Sequence, residues 1–256
     1  MTITLGQLGF RYGRVQVLEG ISVEAVAGRV TAVVGPNASG KTTLLRCAAG
    51  LLRPSAGEAL VDGRSAAGLR PRQLAQRVAY VAQRPVVSAA FTVREVVALG
   101  RYALPSEPGR VVAALHRTEL EELADRPYPA LSIGQQQRVA VARAVAQMSR
   151  DGNLILDEPT SAMDLRYARR CYGFLGELAA EGATVVAALH DLAAAAEVAD
   201  DVWVLDGGRL TAAGSAREVM DPAGLERVFG VGFEWWDRGG GRRVLLAGSG
   251  SAGNVR

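Results

Sequence analysis

The 256-residue sequence lacks the features that mark several classes of protein. It has only two cysteines, Cys47 and Cys171, which argues against a disulfide framework and is typical of a reducing cytoplasm. No run of about 18 uncharged apolar residues is present, so we expect no transmembrane helix. The first residues lack a basic start followed by an apolar run, so we expect no secretory signal. With 49% apolar residues, 21% charged residues and a net charge of +3, the composition indicates a globular protein without a nucleic-acid partner.

Lysine is almost absent as well. Lys41 is the only lysine among 29 basic residues, and all the others are arginine. A GC-rich genome explains the arginine bias but does not explain why one lysine remains. Arginine is a wide planar fork, whereas an ammonium is a compact charge that fits between backbone amides and phosphate oxygens. Lys41 is therefore a candidate functional residue before its neighbours are considered.

The hydrophobic pattern predicts an α/β fold with an N-terminal β-rich part and an inserted group of helices. We expect one domain over residues 1–248, interrupted by helices at about 87–149, and a flexible tail at 249–256. Thr92 and Glu95 form a T-x-x-E capping box at the first inserted helix. The other expected elements are strands at 3–12, 21–28, 29–35, 58–65 (with an Asp62-Gly63 turn), 78–82, 153–157 and 184–189, a hairpin at 202–210, and helices from about 40 and at 71–76, 111–125, 132–147, 165–180 and 191–197.

Residues 35–42, GPNASGKT, match the phosphate-loop pattern G-x-x-x-x-G-K-[ST] between an expected strand and an expected helix. Gly35 and Gly40 let the backbone curl so that its N–H groups face phosphate oxygens, and the helix adds its N-terminal dipole. Lys41 then reaches the β- and γ-phosphates, and the Thr42 hydroxyl lies on Mg²⁺. A chance glycine turn is the alternative, which the strand–loop–helix context disfavours. The predicted nucleotide-binding residues of this loop are Gly35, Pro36, Asn37, Ala38, Ser39, Gly40, Lys41, Thr42 and Thr43.

Asp157 and Glu158 close the apolar run at 153–157, and His190 follows the next expected strand. In a parallel sheet these positions share an edge with the phosphate loop. We expect Asp157 to hold Mg²⁺ through water, Glu158 to act as general base on the attacking water, and His190 to orient that water. An Asp-Glu pair after a strand is also a common turn, and a strand-end histidine is often a surface residue. The phosphate loop upstream favours the catalytic interpretation of the pair.

Five segments occur in a characteristic order: the phosphate loop, LSIGQQQR at 131–138, DEP at 157–159, SAMD at 161–164 and LHD at 189–191. Together they resemble the nucleotide-binding subunit of an ABC transporter over nearly the whole chain. The resemblance implies the ABC nucleotide-binding domain, a P-loop ATPase core with an inserted helical subdomain. It also implies a second ATPase subunit in a head-to-tail homodimer that sandwiches two ATP molecules. The phosphate loop of one subunit then faces the LSIGQ segment of the other.

The resemblance assigns roles to residues outside the phosphate loop. Tyr12 is similar to the aromatic residue that stacks on adenine, although an ordinary strand aromatic is the alternative. Gln83 matches the glutamine that approaches Mg²⁺ and the γ-phosphate and couples hydrolysis to the membrane subunits. The helices at about 87–149 match the helical subdomain on which those membrane subunits dock.

A second set of matching residues belongs to the partner-facing surface. Ser132, Gly134 and Gln135 match the signature segment that contacts the partner's γ-phosphate. Asp164 matches the aspartate that communicates across the dimer. The signature departs from the family at Ile133, where glycine is usual, and a β-branched side chain restricts close approach. Two further departures are Asn153 at an apolar strand position and a shortened stretch between residues 100 and 131.

The segments FTVREVVALGRY, VVAALHDLAAAAEVADDVWVLDGGRL and DPAGLERVFGV resemble ATPases that drive uptake of iron–siderophore complexes, heme or cobalamin. This implies a peripheral subunit at the cytoplasmic face of the cell membrane. Its partners are transmembrane permease subunits and, indirectly, a periplasmic or lipoprotein substrate-binding protein. An ABC exporter remains an alternative. A soluble non-transport ABC ATPase is disfavoured by the single phosphate loop, and a small-molecule kinase by the LSIGQ segment.

Overall fold

The computed structural model describes residues 1–85, 87, 90–149, 151–239 and 243–248. The strands in this part are β1 (Thr2–Tyr12), β2 (Val15–Val26), β3 (Val30–Val34), β4 (Ala56–Val61), β5 (Arg64–Ser65), β6 (Val78–Val81), β7 (Asn153–Asp157), β8 (Thr184–Ala188), β9 (Asp201–Asp206), β10 (Arg209–Ser215), β11 (Phe233–Asp237) and β12 (Arg243–Ala247). The α-helices are α1 (Lys41–Ala48), α2 (Pro71–Ala75), α3 (Val93–Ala98), α4 (Pro108–Arg117), α5 (Ile133–Gln147), α6 (Leu165–Ala180), α7 (Leu192–Val198), α8 (Ala216–Val219) and α9 (Pro222–Phe229).

The central sheet has six strands in the order β10-β9-β3-β8-β7-β6. All of them run parallel except β10, which pairs antiparallel with β9. Along β3, Ala32 and Val34 belong to the core layer that includes α5 and α6, whereas Val33 belongs to the layer on the opposite face that includes α1. Because both faces are covered, the strands are continuous apolar runs in the sequence. The carboxyl ends of β3, β8, β7 and β6 consequently lie along one edge.

The N-terminal part is an antiparallel sheet in the order β2-β1-β4-β5. Its buried face carries Ile3, Leu5 and Leu18, which share a core with Leu44 and Leu45 of α1. A hydrogen bond of 2.9 Å from the Glu19 N–H to the Gly208 carbonyl joins this sheet to the β9–β10 turn. The expected N-terminal antiparallel β part is confirmed.

The inserted helices have a core of their own. Residues of α3, α4 and the segment that follows α4 form it, with Val97, Leu115 and Leu120 among the buried side chains. Helix α5 contributes to two cores, since Val139 packs in the helical one and Val141 packs beneath the central sheet. The helical part is thus a separate packing unit that α5 ties to the sheet, which confirms the expected insertion.

The expected helix at 111–125 is wrong in its extent. Helix α4 begins at Pro108 and ends at Arg117, and residues Glu121–Leu123 form a separate 3-10 turn. Between the two lies Glu119, whose φ of 54° is left-handed and cannot continue a right-handed helix. The fully buried Leu120 then donates its N–H to the Leu115 carbonyl at 2.9 Å, which turns the chain back onto α4.

The C-terminal region holds elements that the sequence pattern did not indicate. Helices α8 and α9 are followed by the antiparallel pair β11–β12, and Leu225 and Leu245 complete the core under the central sheet. The tail expected at 249–256 lies outside the described residues, and the domain limits 1–248 and 87–149 stay a prediction. Over the described ranges, no helix has the length and apolarity needed to cross a membrane.

Candidate nucleotide-binding site

The candidate residues follow neighbouring parallel strands. The phosphate loop follows β3 and Gln83 follows β6, while Asp157 ends β7 with Glu158 directly after it. His190 comes two residues after the end of β8. Because these strands are neighbours in one parallel sheet, the fold itself gathers the side chains at the carboxyl edge.

The phosphate loop has the backbone that a close approach to phosphates needs. Gly40 has a φ of 103°, and a Cβ there would lie 2.7 Å from Cδ2 of Leu18. No side chain caps the first turn of α1 in the described structure, so its N–H groups remain available to an anion. The Ser39 hydroxyl is buried and has no hydrogen-bond partner among the described residues. A phosphate oxygen in the loop would satisfy such donors.

Lys41 lies inside the loop and is only 6% exposed. Its Nζ donates to the carbonyl oxygens of Gly35 at 2.7 Å and Pro36 at 2.9 Å. Burial lowers the pKa of Lys41, and the negative charges of Glu158 and Asp157 oppose that effect. The ammonium is thus held in a compact space where a planar guanidinium would not fit.

Asp157 is fully buried and receives two hydrogen bonds. The Thr42 hydroxyl donates to its Oδ1 at 3.1 Å, and the Tyr80 hydroxyl donates to its Oδ2 at 3.3 Å. Burial, reinforced by the charge of Asp157, raises the pKa of Tyr80 to about 12, so the phenol stays protonated. Tyr80 was not among the residues that the sequence indicated, and its only signal there is a polar tip within an apolar strand.

Glu158 is 8% exposed and adopts a left-handed backbone with a φ of 50°. Gln83 donates from Nε2 to Oε2 of Glu158, and Nε2 of His190 contacts Oε1. Each carboxylate oxygen has two lone pairs, so both oxygens can still accept a proton from water. The three residues that the sequence assigned to catalysis therefore form one hydrogen-bonded group.

Tyr12 ends β1 with 48% of its surface exposed, and its ring meets the Phe10 ring edge-on at 4.8 Å between centroids. Hydrogen bonding to Tyr80, together with a weaker one to Tyr12, raises the pKa of Arg46 on α1. No motif of the sequence contains Arg46, so it was not among the predicted site residues.

The signature segment opens α5. Ser132 caps this helix by accepting the Gln135 N–H at 3.3 Å, and the Gln135 side chain accepts the Ser132 N–H at 3.0 Å. A Cβ on Gly134 would lie 2.5 Å from the carbonyl oxygen of Ala162. Asp164 caps α6 by accepting the Tyr167 N–H at 3.0 Å. The signature and Asp164 therefore line one surface concavity.

Ile133 is 72% exposed, so its side chain does not take part in this packing. Any restriction on close approach at Ile133 acts on a second molecule, because within the chain it is Gly134 that makes the tight contact.

The candidate residues form two separate groups. Within the described ranges, no hydrogen bond joins Ser132, Gln135 or Asp164 to the phosphate loop, Asp157 or Glu158. The phosphate loop, Asp157 and Glu158 thus form one group that is suited to binding phosphates. The signature residues and Asp164 form a second group, which is not hydrogen-bonded to the first among the described residues.

A phosphate loop between a parallel strand and a helix, with Asp157 and Glu158 on the same edge, defines a nucleotide-binding P-loop α/β protein. The family model described as "ABC transporter" matches residues 18–161. The chain belongs to the ABC transporter family, and ATP hydrolysis is the reaction common to the ATPase subunits of that family.

The most informative relatives agree with this membership. The chain is 39% identical over 238 residues to the hemin import ATP-binding protein HmuV of Rhizobium meliloti (strain 1021), a match that spans 89% of this chain and 91% of that protein. It superposes with a TM-score of 0.79 and 26% identity on a transporter described as metal-chelate type in an inward-facing conformation, covering 96% of this chain and 95% of the other. A dimeric bacterial ABC transporter cassette matches with a TM-score of 0.77 and 27% identity over 84% of this chain and 99% of its own.

Proposed function

We propose that the chain is the ATP-hydrolysing subunit of an importer for heme or a related iron chelate. The observation that carries the cargo class is the 39% identity to a hemin import ATP-binding protein along nearly the full length of both chains. The similarity to a metal-chelate type transporter supports the same class. The geometry of the nucleotide site supports the ATPase activity.

In this proposal the triphosphate lies over the N-terminus of α1. Lys41 exchanges its contacts with the Gly35 and Pro36 carbonyls for phosphate oxygens, and the buried Ser39 hydroxyl gains a partner. Tyr12 is exposed at the end of β1, where its ring can stack on the base. The predicted loop residues thus act mostly through their backbone N–H groups.

Magnesium fits the residues present. The Thr42 hydroxyl and the Asp157 carboxylate are hard oxygen ligands only 3.1 Å apart, the type of ligand that Mg²⁺ prefers. When bound, the ion neutralises charge on the β- and γ-phosphates. The Tyr80 hydroxyl donates to the other oxygen of the Asp157 carboxylate. Gln83 donates to Glu158, the residue that follows Asp157.

Glu158 serves as the general base in this proposal. Its carboxylate accepts the proton of the attacking water, while Gln83 and His190 fix the carboxylate from its two oxygens. We expect Glu158→Gln to bind ATP with unchanged affinity but to lose roughly 10²- to 10⁴-fold in hydrolysis rate. A phosphate-release assay beside an ATP-binding titration measures both, and normal turnover in this variant would refute the general-base assignment.

The second group of residues is proposed to complete the site of another copy. The concavity that they line contains no residue of the phosphate loop of the same chain; these residues are Ser132, Gly134, Gln135 and Asp164. In a head-to-tail homodimer, the phosphate loop of the other copy would face this concavity. The dimeric relative supports the formation of a dimer. We further propose that the dimer works on the cytoplasmic face of the membrane, with the helical part on transmembrane permease subunits. A periplasmic or lipoprotein substrate-binding protein delivers the cargo to them.

Growth on defined iron sources tests the cargo. A host that carries the matching permease and binding protein but lacks this subunit is complemented with the wild-type chain, Lys41→Ala or Glu158→Gln. We expect the wild-type chain alone to restore growth on hemin as sole iron source, with all strains equal on an inorganic iron salt.

Two further media separate the related cargoes. Restored growth on a ferric siderophore but not on hemin would reassign the importer to siderophores. Restored cobalamin-dependent growth alone would reassign it to cobalamin. Equal growth of Lys41→Ala and wild type on hemin would contradict the role of ATP hydrolysis.

A further inference from the structure

A cavity of about 370 Å³ lies between the helical part and α6, apart from the phosphate loop. One wall is the end of α4 and the turn that follows it, residues 116–119, and the opposite wall is the stretch of α6 from 167 to 177. Helix α5 closes the cavity with Arg138 and Val141. The volume lies in the range of pockets that hold small organic molecules.

Among the described residues, Arg138 is a buried cation of this cavity that has no carboxylate partner. It is 7% exposed, and its guanidinium carbon lies 3.8 Å from the centroid of the Tyr167 ring. Its only hydrogen bonds within the described structure are long ones from Nη1, to the carbonyls of Thr118 at 3.5 Å and Glu119 at 3.3 Å. A buried charge without a counter-charge is costly, so an anion in the cavity would be stabilised there.

The other charges of the cavity are already paired. Arg117 donates to Glu181 at 2.7 Å and lies over the Phe174 ring, and Arg170 pairs with Glu119. The charged lining residues are three arginines, Arg117, Arg138 and Arg170, and two glutamates, Glu119 and Glu177. Arg117 and Arg170 each have a carboxylate partner, so Arg138 is the lining arginine that has none among the described residues, and a single negative charge beside it would supply one.

The rest of the wall is apolar. Val141, Met163 and Phe174 line the cavity together with Cys171. Burial raises the pKa of Cys171 to about 12, so its thiol is uncharged and acts as part of the apolar surface. The cavity thus combines one uncompensated cation with a surface that favours a hydrocarbon or aromatic body.

We propose that this cavity binds a small organic monoanion, such as an aromatic carboxylate or sulfonate, with its charged group on Arg138 and its apolar body against Phe174 and Met163. The ligand bridges the helical part and α6. Arg138, Met163 and Tyr167 also line the concavity beside the signature segment. Occupancy therefore alters the position of the signature and the rate of ATP hydrolysis.

A matched pair of fluorescent probes tests the charge requirement. The anion is 8-anilinonaphthalene-1-sulfonate, and its neutral counterpart is N-phenyl-1-naphthylamine, which has the same rings without the sulfonate. With saturating ADP in the nucleotide site, we expect one sulfonate probe per chain, bound at least tenfold more tightly than the neutral probe. Arg138→Met should abolish this preference, and Arg138→Lys, which keeps the charge, should retain part of it.

A cavity-filling variant tests the location without removing a buried charge. Gly173 lines the cavity, and a Cβ there would meet no atom within 4 Å, so Gly173→Leu can fill the space without a backbone clash. Gly176 lies on the same helix with equally open surroundings but does not line this cavity. We expect Gly173→Leu to bind the sulfonate probe at least tenfold more weakly than wild type, and Gly176→Leu to bind it with the affinity of wild type.

The same variants test the link to hydrolysis. Saturating sulfonate probe should change the ATPase rate of wild type and Gly176→Leu at least twofold and leave Gly173→Leu unchanged. Equal affinity for the two probes, or undiminished sulfonate binding by Gly173→Leu, would overturn the site. Probe binding without any change in wild-type rate would overturn its coupling to the signature.

Discussion

Asn153 occupies the first position of the buried strand β7, where an apolar residue was expected from the family pattern. Its Nδ2 donates to the Arg77 carbonyl at 3.1 Å and to Oδ1 of Asp62 at 3.3 Å. Asp62 also accepts the Thr2 N–H at 3.1 Å and pairs with Arg77 at 3.4 Å. The side chain that looks irregular in the sequence therefore ties the N-terminal sheet to the central sheet.

We expect Asn153→Ala to lower the free energy of unfolding by about 1–3 kcal/mol, because it removes the hydrogen bonds to Asp62 and to the Arg77 carbonyl, together with a weaker one to the Met1 sulfur. Urea denaturation followed by circular dichroism measures the change. Asp62→Ala and the double variant Asn153→Ala/Asp62→Ala complete a double-mutant cycle. Strictly additive losses would show that the two side chains do not stabilise each other.

Ile133→Gly separates the surface of the signature from its internal packing. Ile133 is exposed and Gly134 makes the tight contact, so the substitution should leave ATP affinity of the monomer unchanged. Removing a β-branched side chain from a partner-facing surface should raise turnover or leave it as it is. ATPase measurements at saturating ATP check this, and a collapse in turnover would mean that Ile133 makes a contact essential to closure.

The candidate residues that the sequence indicated are those whose motifs have fixed spacing. Lys41, Thr42, Asp157 and Glu158 lie in such motifs, and the parallel sheet rule brings them to one edge. Tyr80 belongs to none of these motifs, and Arg138 ends the segment LSIGQQQR but was given no role by it. Tyr80 matters because it contacts Asp157. Arg138 matters because it has no carboxylate partner among the described residues. Both are properties of the tertiary structure.

At the scale of elements, most strands and helices could be predicted because hydrophobic periodicity follows the layers of the fold. The expected helix at 165–180 coincides with α6, and the Thr92 capping box is present at α3. The break after α4 could not be predicted, since neither glycine nor proline marks Glu119. The β11–β12 hairpin was missed because its strand FEWWD has no regular alternation of apolar and polar residues.

Helix α5 depends on a close backbone contact with the 3-10 turn Leu99–Arg101 that follows α3. A Cβ on Gly100 would overlap the carbonyl oxygen of Arg143, whereas a Cβ on Gly109 in α4 would meet no atom within 4 Å. We expect Gly100→Ala to destabilise the protein by about 1–3 kcal/mol through displaced helices. Gly109→Ala, its matched control in the same helical part, should be neutral or stabilise by up to about 1 kcal/mol.

Thermal unfolding monitored by circular dichroism distinguishes the two variants. A melting temperature for Gly100→Ala equal to that of Gly109→Ala would contradict the close packing of α5. Because α5 carries the signature at its N-terminus, the ATPase rate of Gly100→Ala should fall together with its stability.

At the scale of the whole molecule, the candidate residues lie in two groups that the chain does not bring together. The phosphate loop, Asp157 and Glu158 form one group at the sheet edge. Ser132 and Asp164 cap two helices around another concavity. In the proposed head-to-tail dimer, a second copy supplies to each group what it lacks. We propose that ATP holds two copies of this chain together through these surfaces.

Light scattering after gel filtration of Glu158→Gln, with and without MgATP, tests this claim most directly. We expect a monomer of 26.9 kDa without nucleotide and a species of twice that mass with MgATP. Glu158→Gln combined with Lys41→Ala should stay monomeric, since the phosphates lose their ammonium partner. A Glu158→Gln protein that remains a monomer while saturated with ATP would show that ATP does not join two copies through these surfaces.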